Sequence, residues 1–140
     1  MTTTLNKGMR ELVPKKFFWE EHHYFGLKYL VELVDSGISL QRSTSCIPFE
    51  AVPYCVITPS EQQWGQFFNS LRNLNVSPRK PEHEICDGFD VECHIKFRGL
   101  NLKFEIVNPD FDGFEETRDL MNQLTVCDEF PLGIFESRED

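Results

Sequence analysis

The stretch NPDFDGFEETRD, Asn108 to Asp119, places oxygen-bearing side chains at the spacing a calcium loop uses. Asn108, Asp110 and Asp112 fall at positions 1, 3 and 5 of a twelve-residue loop, Gly113 at position 6 and Asp119 at position 12. Three departures speak against calcium. Glu115 stands at position 8, where an apolar residue is expected, and the bidentate Glu of position 12 is the shorter Asp119. The residues before Asn108 alternate like a strand, whereas such a loop is entered from a helix. The spacing fits a strand-to-helix turn better. Asn108-Pro109 starts the turn, Asp112 caps the helix in a D-x-x-E pattern, and Glu115 and Glu116 sit at its positive end.

A second cluster, HEICDGFDVECH, offers His83, Cys86, Cys93 and His94, the ligand types zinc prefers. Cys93 and His94 are consecutive in a run of strict alternation, so their side chains leave on opposite faces and do not readily share one ion. Glu20 and His23 in WEEHHY have the E-x-x-H spacing of di-iron bundles, but such sites need a second copy and further Glu residues that the sequence lacks. His22-His23 then reads as a surface pair or a partly buried helix face. The sequence contains no nucleophile elbow, no phosphate-binding loop and no dinucleotide fingerprint. The expectation is a chain without catalytic residues, metal or cofactor. A small cysteine- or metal-dependent enzyme, assembled from distant residues, is an alternative.

The 140 residues suit one α+β domain, 1–140, and the 13 Phe, three Tyr and two Trp supply core material that a disordered chain would lack. No apolar run approaches the roughly 18 residues needed to cross a bilayer. The start, MTTTLNKGMRELVPKK, lacks a hydrophobic leader, and five Cys without scaffold-like spacing fit reduced thiols, so a cytoplasmic location is expected. The formal net charge of −9 is unevenly placed. Residues 1–103 carry 12 acidic and 12 basic side chains, whereas residues 104–140 carry 11 acidic side chains against Arg118 and Arg138. Such a field repels phosphates and attracts basic surfaces, which argues against direct nucleic-acid binding.

The elements that must position these residues follow from periodicity. Residues 1–15 read as a loose arm. Leu27, Leu30, Val31 and Val34 follow the i, i+3, i+4, i+7 rule, which predicts a helix from Phe17 to Asp35 with Gly37 as its left-handed cap. A short strand is expected over 38–42 and another over Tyr54–Thr58. Ser60 and Gln63 form a capping-box pair for a helix bearing Trp64, Phe67, Phe68, Leu71 and Leu74 on one side. Val91, Cys93, Ile95 and Phe97, then Leu100, Leu102, Phe104 and Ile106, alternate with polar residues about Arg98-Gly99, an antiparallel hairpin. EHEIC before Asp87-Gly88 is expected to add a third strand, and Phe114, Met121 and Leu124 line a closing helix. The tail 126–140 is acidic, although Phe130, Leu132, Ile134 and Phe135 suggest that part of it packs. The fold expected is a mostly antiparallel sheet of four or five strands with two or three helices on one face.

Three segments together resemble a group of small bacterial α+β proteins, some of them known or suspected immunity proteins that neutralise toxin domains. They are PSEQQWGQFFNSL as helix, CDGFDVECHIKFRGLNLKF as Asp-Gly turn plus hairpin, and NPDFDGFEETRDLMNQL as closing helix, spanning residues 59–124. Where those proteins often carry a Trp after the Asp-Gly turn, this chain has Phe89. The resemblance implies a single-domain acidic binding protein without catalysis. The expected activity is occlusion of a basic site on a toxin, nuclease or other effector, of bacterial or phage origin. Glu115, Glu116, Asp119, Asp128 and Glu129 would form the charged surface, and Phe111, Phe130 and Phe135 its aromatic anchors. An adaptor or structural subunit acting by self-association is the other alternative.

Overall fold

Six strands and two α-helices account for most of the residues described by the computed structural model, which are 13–24, 26–35, 37–44, 48–78, 88–107, 109 and 111–135. The strands are β1 (Lys16–His23), β2 (Lys28–Val34), β3 (Gly37–Ser43), β4 (Cys55–Ile57), β5 (Phe89–Phe97) and β6 (Leu100–Val107). Helix α1 spans Glu61–Asn73 and α2 spans Phe114–Leu124, with a short 3-10 turn at Phe49–Ala51. All strand pairs are antiparallel, in the order β4-β3-β2-β1-β5-β6.

The sheet therefore has six strands where four or five were expected, because the predicted Phe17–Asp35 helix is instead the β1–β2 hairpin. Its two arms are joined by a turn in which His23 N–H donates to the Leu27 carbonyl and Gly26 takes a φ of 96°. Helical spacing among Leu27, Leu30, Val31 and Val34 is coincidental. The strand period governs: Phe17, Trp19 and Glu21 point inward on β1, Tyr29 and Val31 on β2. Gly37 opens β3 rather than capping a helix. A Cβ there would lie 2.1 Å from the Ile57 carbonyl oxygen, so only glycine lets β3 and β4 approach so closely.

The other periodic readings hold. Ser60 and Gln63 form both arms of a capping box, with Gln63 N–H donating to Ser60 Oγ at 3.1 Å and Ser60 N–H to Gln63 Oε1 at 2.7 Å. Trp64, Phe67, Phe68 and Leu71 make the buried stripe of α1. The β5–β6 turn has positive φ at both Arg98 (43°) and Gly99 (80°), the geometry that matches the right-handed twist of a two-residue hairpin. Helix α2 begins one residue later than predicted. Gly113, in the left-handed region, is its N-cap, and Asp112 makes no capping bond. This entry lets Phe111 and Phe114 turn into the core together, their ring centroids 5.4 Å apart. The EHEIC segment lies outside the described residues, as do residues 1–12 of the arm expected over 1–15. The last residues of that arm are not loose, for Pro14 is buried and Lys15 N–H donates to the Lys96 carbonyl at 2.9 Å.

Both helices cover one face of the sheet. Phe17 meets Trp64 edge-on at 5.3 Å and Phe68 stacks on Phe97 at 4.0 Å, which fixes α1. Trp19 stacks against Phe114 at 5.8 Å, which fixes α2. Each such side chain, fully buried, contributes on the order of 1.5–3 kcal/mol. The segment after α2 folds back onto it. Ile134 N–H donates to Thr125 Oγ1 (3.0 Å), Phe135 N–H to Asn122 Oδ1 (2.7 Å), and Arg42 of β3 donates to the Ile134 carbonyl (2.6 Å). Ile134 and Phe135 are buried, whereas Leu132 is 66% exposed.

Candidate functional site

Period two places Trp19, Glu21 and His23 on the same inner face of β1, and Glu21 is fully buried, at 0% exposure. A carboxylate in that position needs donors on every side. Trp19 Nε1 donates to Oε2 at 2.8 Å, and His23 Nε2 lies 2.9 Å from Oε1. From α2, Arg118 completes the set with a two-pronged contact, Nε to Oε2 at 2.8 Å and Nη2 to Oε1 at 3.1 Å. Burial pushes the Glu21 carboxyl up. The His23 hydrogen bond, the charge and hydrogen bonds of Arg118 and the Trp19 N–H outweigh it, and the pKa lies below its ordinary value. Aromatic rings wall the pair. The Arg118 guanidinium lies 4.6 Å from the Phe135 centroid, and His23 stacks on Phe89 at 4.4 Å.

The E-x-x-H pair of the sequence is thereby taken apart. Glu20 and His23 stand three residues apart in a strand and leave on opposite faces; Glu20 bonds His22 on the outer face at 2.6 Å. Cys93 is buried in the inner face while the adjacent His94 faces outward. His83, Cys86, Asn108 and Asp110 lie outside the described residues. Among the described residues no three His, Cys, Asp or Glu side chains are grouped to hold a metal ion.

The buried pair decides what α2 shows to solvent. Arg118, the only cation among residues 104–135, is turned inward to Glu21 and is 19% exposed. Glu115 reaches its Nη1 at 4.0 Å yet is 76% exposed. Glu116 and Asp119 are exposed and, among the described residues, make no ion pair. Spacings of i, i+3 and i, i+4 set Glu115 and Glu116 one turn from Asp119. Asp128 and Glu129 are also exposed, but they lie in the turn beyond the far end of α2, where Cys127 and Phe130 exchange backbone hydrogen bonds of 3.1 Å. The helical rise from Glu116 to Leu124 alone is about 12 Å. The five carboxylates thus form two acidic lobes on one segment.

The aromatic anchors fare differently. Phe111 (7% exposed) packs on Phe104 and Phe114, and Phe135 (4%) on Trp19 and Tyr29. Both are core residues and present no surface to a partner. Phe130 is half-buried beneath the Arg42 guanidinium, 4.7 Å from its centroid. Beside the acidic stripe, a groove of about 380 Å³ runs between α1 and α2, floored by Phe67, Leu120 and Leu124 and rimmed by Gln63, Gln66 and Gln123. Its lining offers shape and amide hydrogen bonds, not acid–base chemistry.

No family model, curated protein or solved structure matches the chain. The site rests on its own geometry. Sequence reasoning missed Glu21 and its partner Arg118, the residues that orient the acidic helix. One signal was present: Glu21 keeps the period of Phe17 and Trp19, an acidic residue in phase with an apolar face. Among the described residues no helix is long and apolar enough to cross a membrane.

Proposed function

We propose that this chain is a non-enzymatic binding protein of inhibitor or immunity type, which covers a basic site on a toxin, nuclease or other effector with the acidic face of α2. One observation carries the reading. The single cation of this segment points into the molecule and is held there by Glu21, so Glu115, Glu116 and Asp119 face solvent with no outward cation of their own segment among them. Beyond the long 4.0 Å contact of Glu115 with Arg118, these like charges repel one another, and a basic partner relieves that repulsion. Asp128 and Glu129 offer the same partner a second contact beyond the helix end. The anchoring of α2 by a two-pronged ion pair keeps the acidic face rigid, which lowers the ordering penalty of docking.

The test is the triple variant Glu115→Lys, Glu116→Lys, Asp119→Lys. An effector captured from host lysate at low salt, identified and purified, is titrated with both proteins over a range of salt. The variant binds at least about tenfold more weakly at low salt and shows a flatter salt dependence. All three side chains are exposed, and a circular-dichroism melt of the variant checks that the fold survives the loss of acidic charge from the first turn of α2. Equal affinity and an equal salt slope would remove this helix face from the reading.

A further inference from the structure

Two of the cysteines meet across the fold. Cys55 lies in the edge strand β4, and Cys127 opens the turn that follows α2, 72 residues later in the chain. Their Sγ atoms are 3.8 Å apart, and both side chains are half-buried, within reach of a small reagent. Cys93, by contrast, is sealed in the core, where burial raises its pKa far above the ordinary thiol range. Both backbones are held in place. Cys55 pairs with Leu40 in the β3–β4 ladder, and Cys127 is fixed by its two hydrogen bonds with Phe130. A disulfide needs the sulfurs at about 2.05 Å, so the gap to close is about 1.8 Å. Rotation of the side chains, one of them on a turn, is motion on that scale.

We propose that Cys55 and Cys127 form a modification site, a thiol pair that a low-molecular-weight disulfide converts to an intramolecular bond stapling β4 to the turn bearing Asp128 and Glu129. One cysteine thiolate attacks a sulfur of the reagent RS–SR; that S–S bond breaks and RS⁻ leaves. The second thiolate then attacks the protein sulfur of the mixed disulfide and displaces the other RS⁻. Two protein thiols lose two electrons, the reagent is reduced to two RSH, and the two thiol protons end on those products.

The surroundings set the tempo. Burial, the neighbouring Cys127 thiol, and the charges of Glu129 and Asp128 push Cys55 up to about 11. Its thiolate is scarce at neutral pH, and a thiol of that kind is also a poor leaving group. The bond therefore forms slowly, forms faster as pH rises, and resists reduction through Cys55. It behaves as a lasting staple and not as a rapid peroxide sensor. None of this depends on the binding function proposed above.

The experiment treats the folded full chain with oxidised glutathione at pH 8, alkylates residual thiols and maps the cross-link by mass spectrometry of a non-reduced digest. The expected result is a peptide joining Cys55 to Cys127, with a Tm higher by about 5–15 °C that dithiothreitol reverses. Cys55→Ser removes both the cross-link and the Tm rise. The pair Asp128→Asn, Glu129→Gln speeds cross-linking several-fold. Glutathione left as a stable adduct on either residue, cross-links confined to Cys46 or Cys86, or a cross-linked chain with unchanged Tm would each overturn the proposal.

Discussion

Arg118→Met should destabilise the protein more than Glu21→Gln, although both remove the same ion pair. Without Arg118, the Glu21 carboxylate remains fully buried with only the Trp19 and His23 donors and no countercharge. Breaking a buried pair in this way costs about 3–5 kcal/mol. Methionine retains an apolar stem against Phe89 and Phe135, so the loss is electrostatic and not a cavity. In Glu21→Gln the stranded charge is Arg118, which is 19% exposed and already lies 4.0 Å from Glu115. It can turn outward, and the cost falls to about 1.5–3 kcal/mol, the worth of the lost charged hydrogen bonds. For 140 residues, 3–5 kcal/mol corresponds to a Tm drop of roughly 10–17 °C. The pH dependence has a definite sign. The folded pKa of Glu21 lies below its ordinary value of 4.5, so its stabilisation is complete above that value and is lost as pH falls through the folded pKa. Urea unfolding at pH 7 and near pH 3.5 therefore shows the gap between wild type and Arg118→Met narrowing in acid. The double variant, which removes both charges, costs less than the two singles together. A smaller loss in Arg118→Met than in Glu21→Gln at pH 7, or strict additivity, refutes the reasoning.

Two further substitutions test how the ends of the helices are held. Gly133→Ala would bring a Cβ to 2.5 Å from the Asn122 Cα at a φ of +98°, so it should cost about 2 kcal/mol or more and expose the Ile134 amide to hydrogen exchange. Ser60→Ala removes the acceptor for the Gln63 amide and half of the capping box, and denaturant melts should show a loss of about 1 kcal/mol.

What could be read from the sequence, and what could not, divides along one physical line. Helix α1 and the β5–β6 hairpin announce themselves because their in-phase residues are apolar and their out-of-phase residues, Val107 at the end of β6 apart, are polar or small. In β1 that rule fails twice: Phe18 is on the outer face, and Glu21 is inside. The inner carboxylate is tolerable only because Arg118 arrives from 97 residues away, a partner that no local window contains. With its alternation disguised, β1 merges with β2 into an apparent helix. The same distance hid the core of the site. The exposed carboxylates were plain from charge counting alone, but the ion pair beneath them and the burial of Phe111 and Phe135 depend on how α2 crosses the sheet.

The β1–β5 ladder, inside the sheet, has a consequence of its own for how the chain reaches this structure. The neighbours β1 to β3 are joined through turns of a few residues, as are β5 and β6. The ladder between the two groups pairs His23 with Phe89 at one end and Lys16 with Lys96 at the other. Closing a loop of about 70 residues costs on the order of 2.5 kcal/mol more entropy than closing one of four. That ladder also carries the buried Phe17, against which α1 packs, and Trp19, against which α2 packs, together with the buried Val91 and Ile95. Among the strand pairings, long-range contact is therefore concentrated in that one seam. We expect the two halves to form their hairpins early, with the full sheet waiting on the entropy of that one long-range strand pairing.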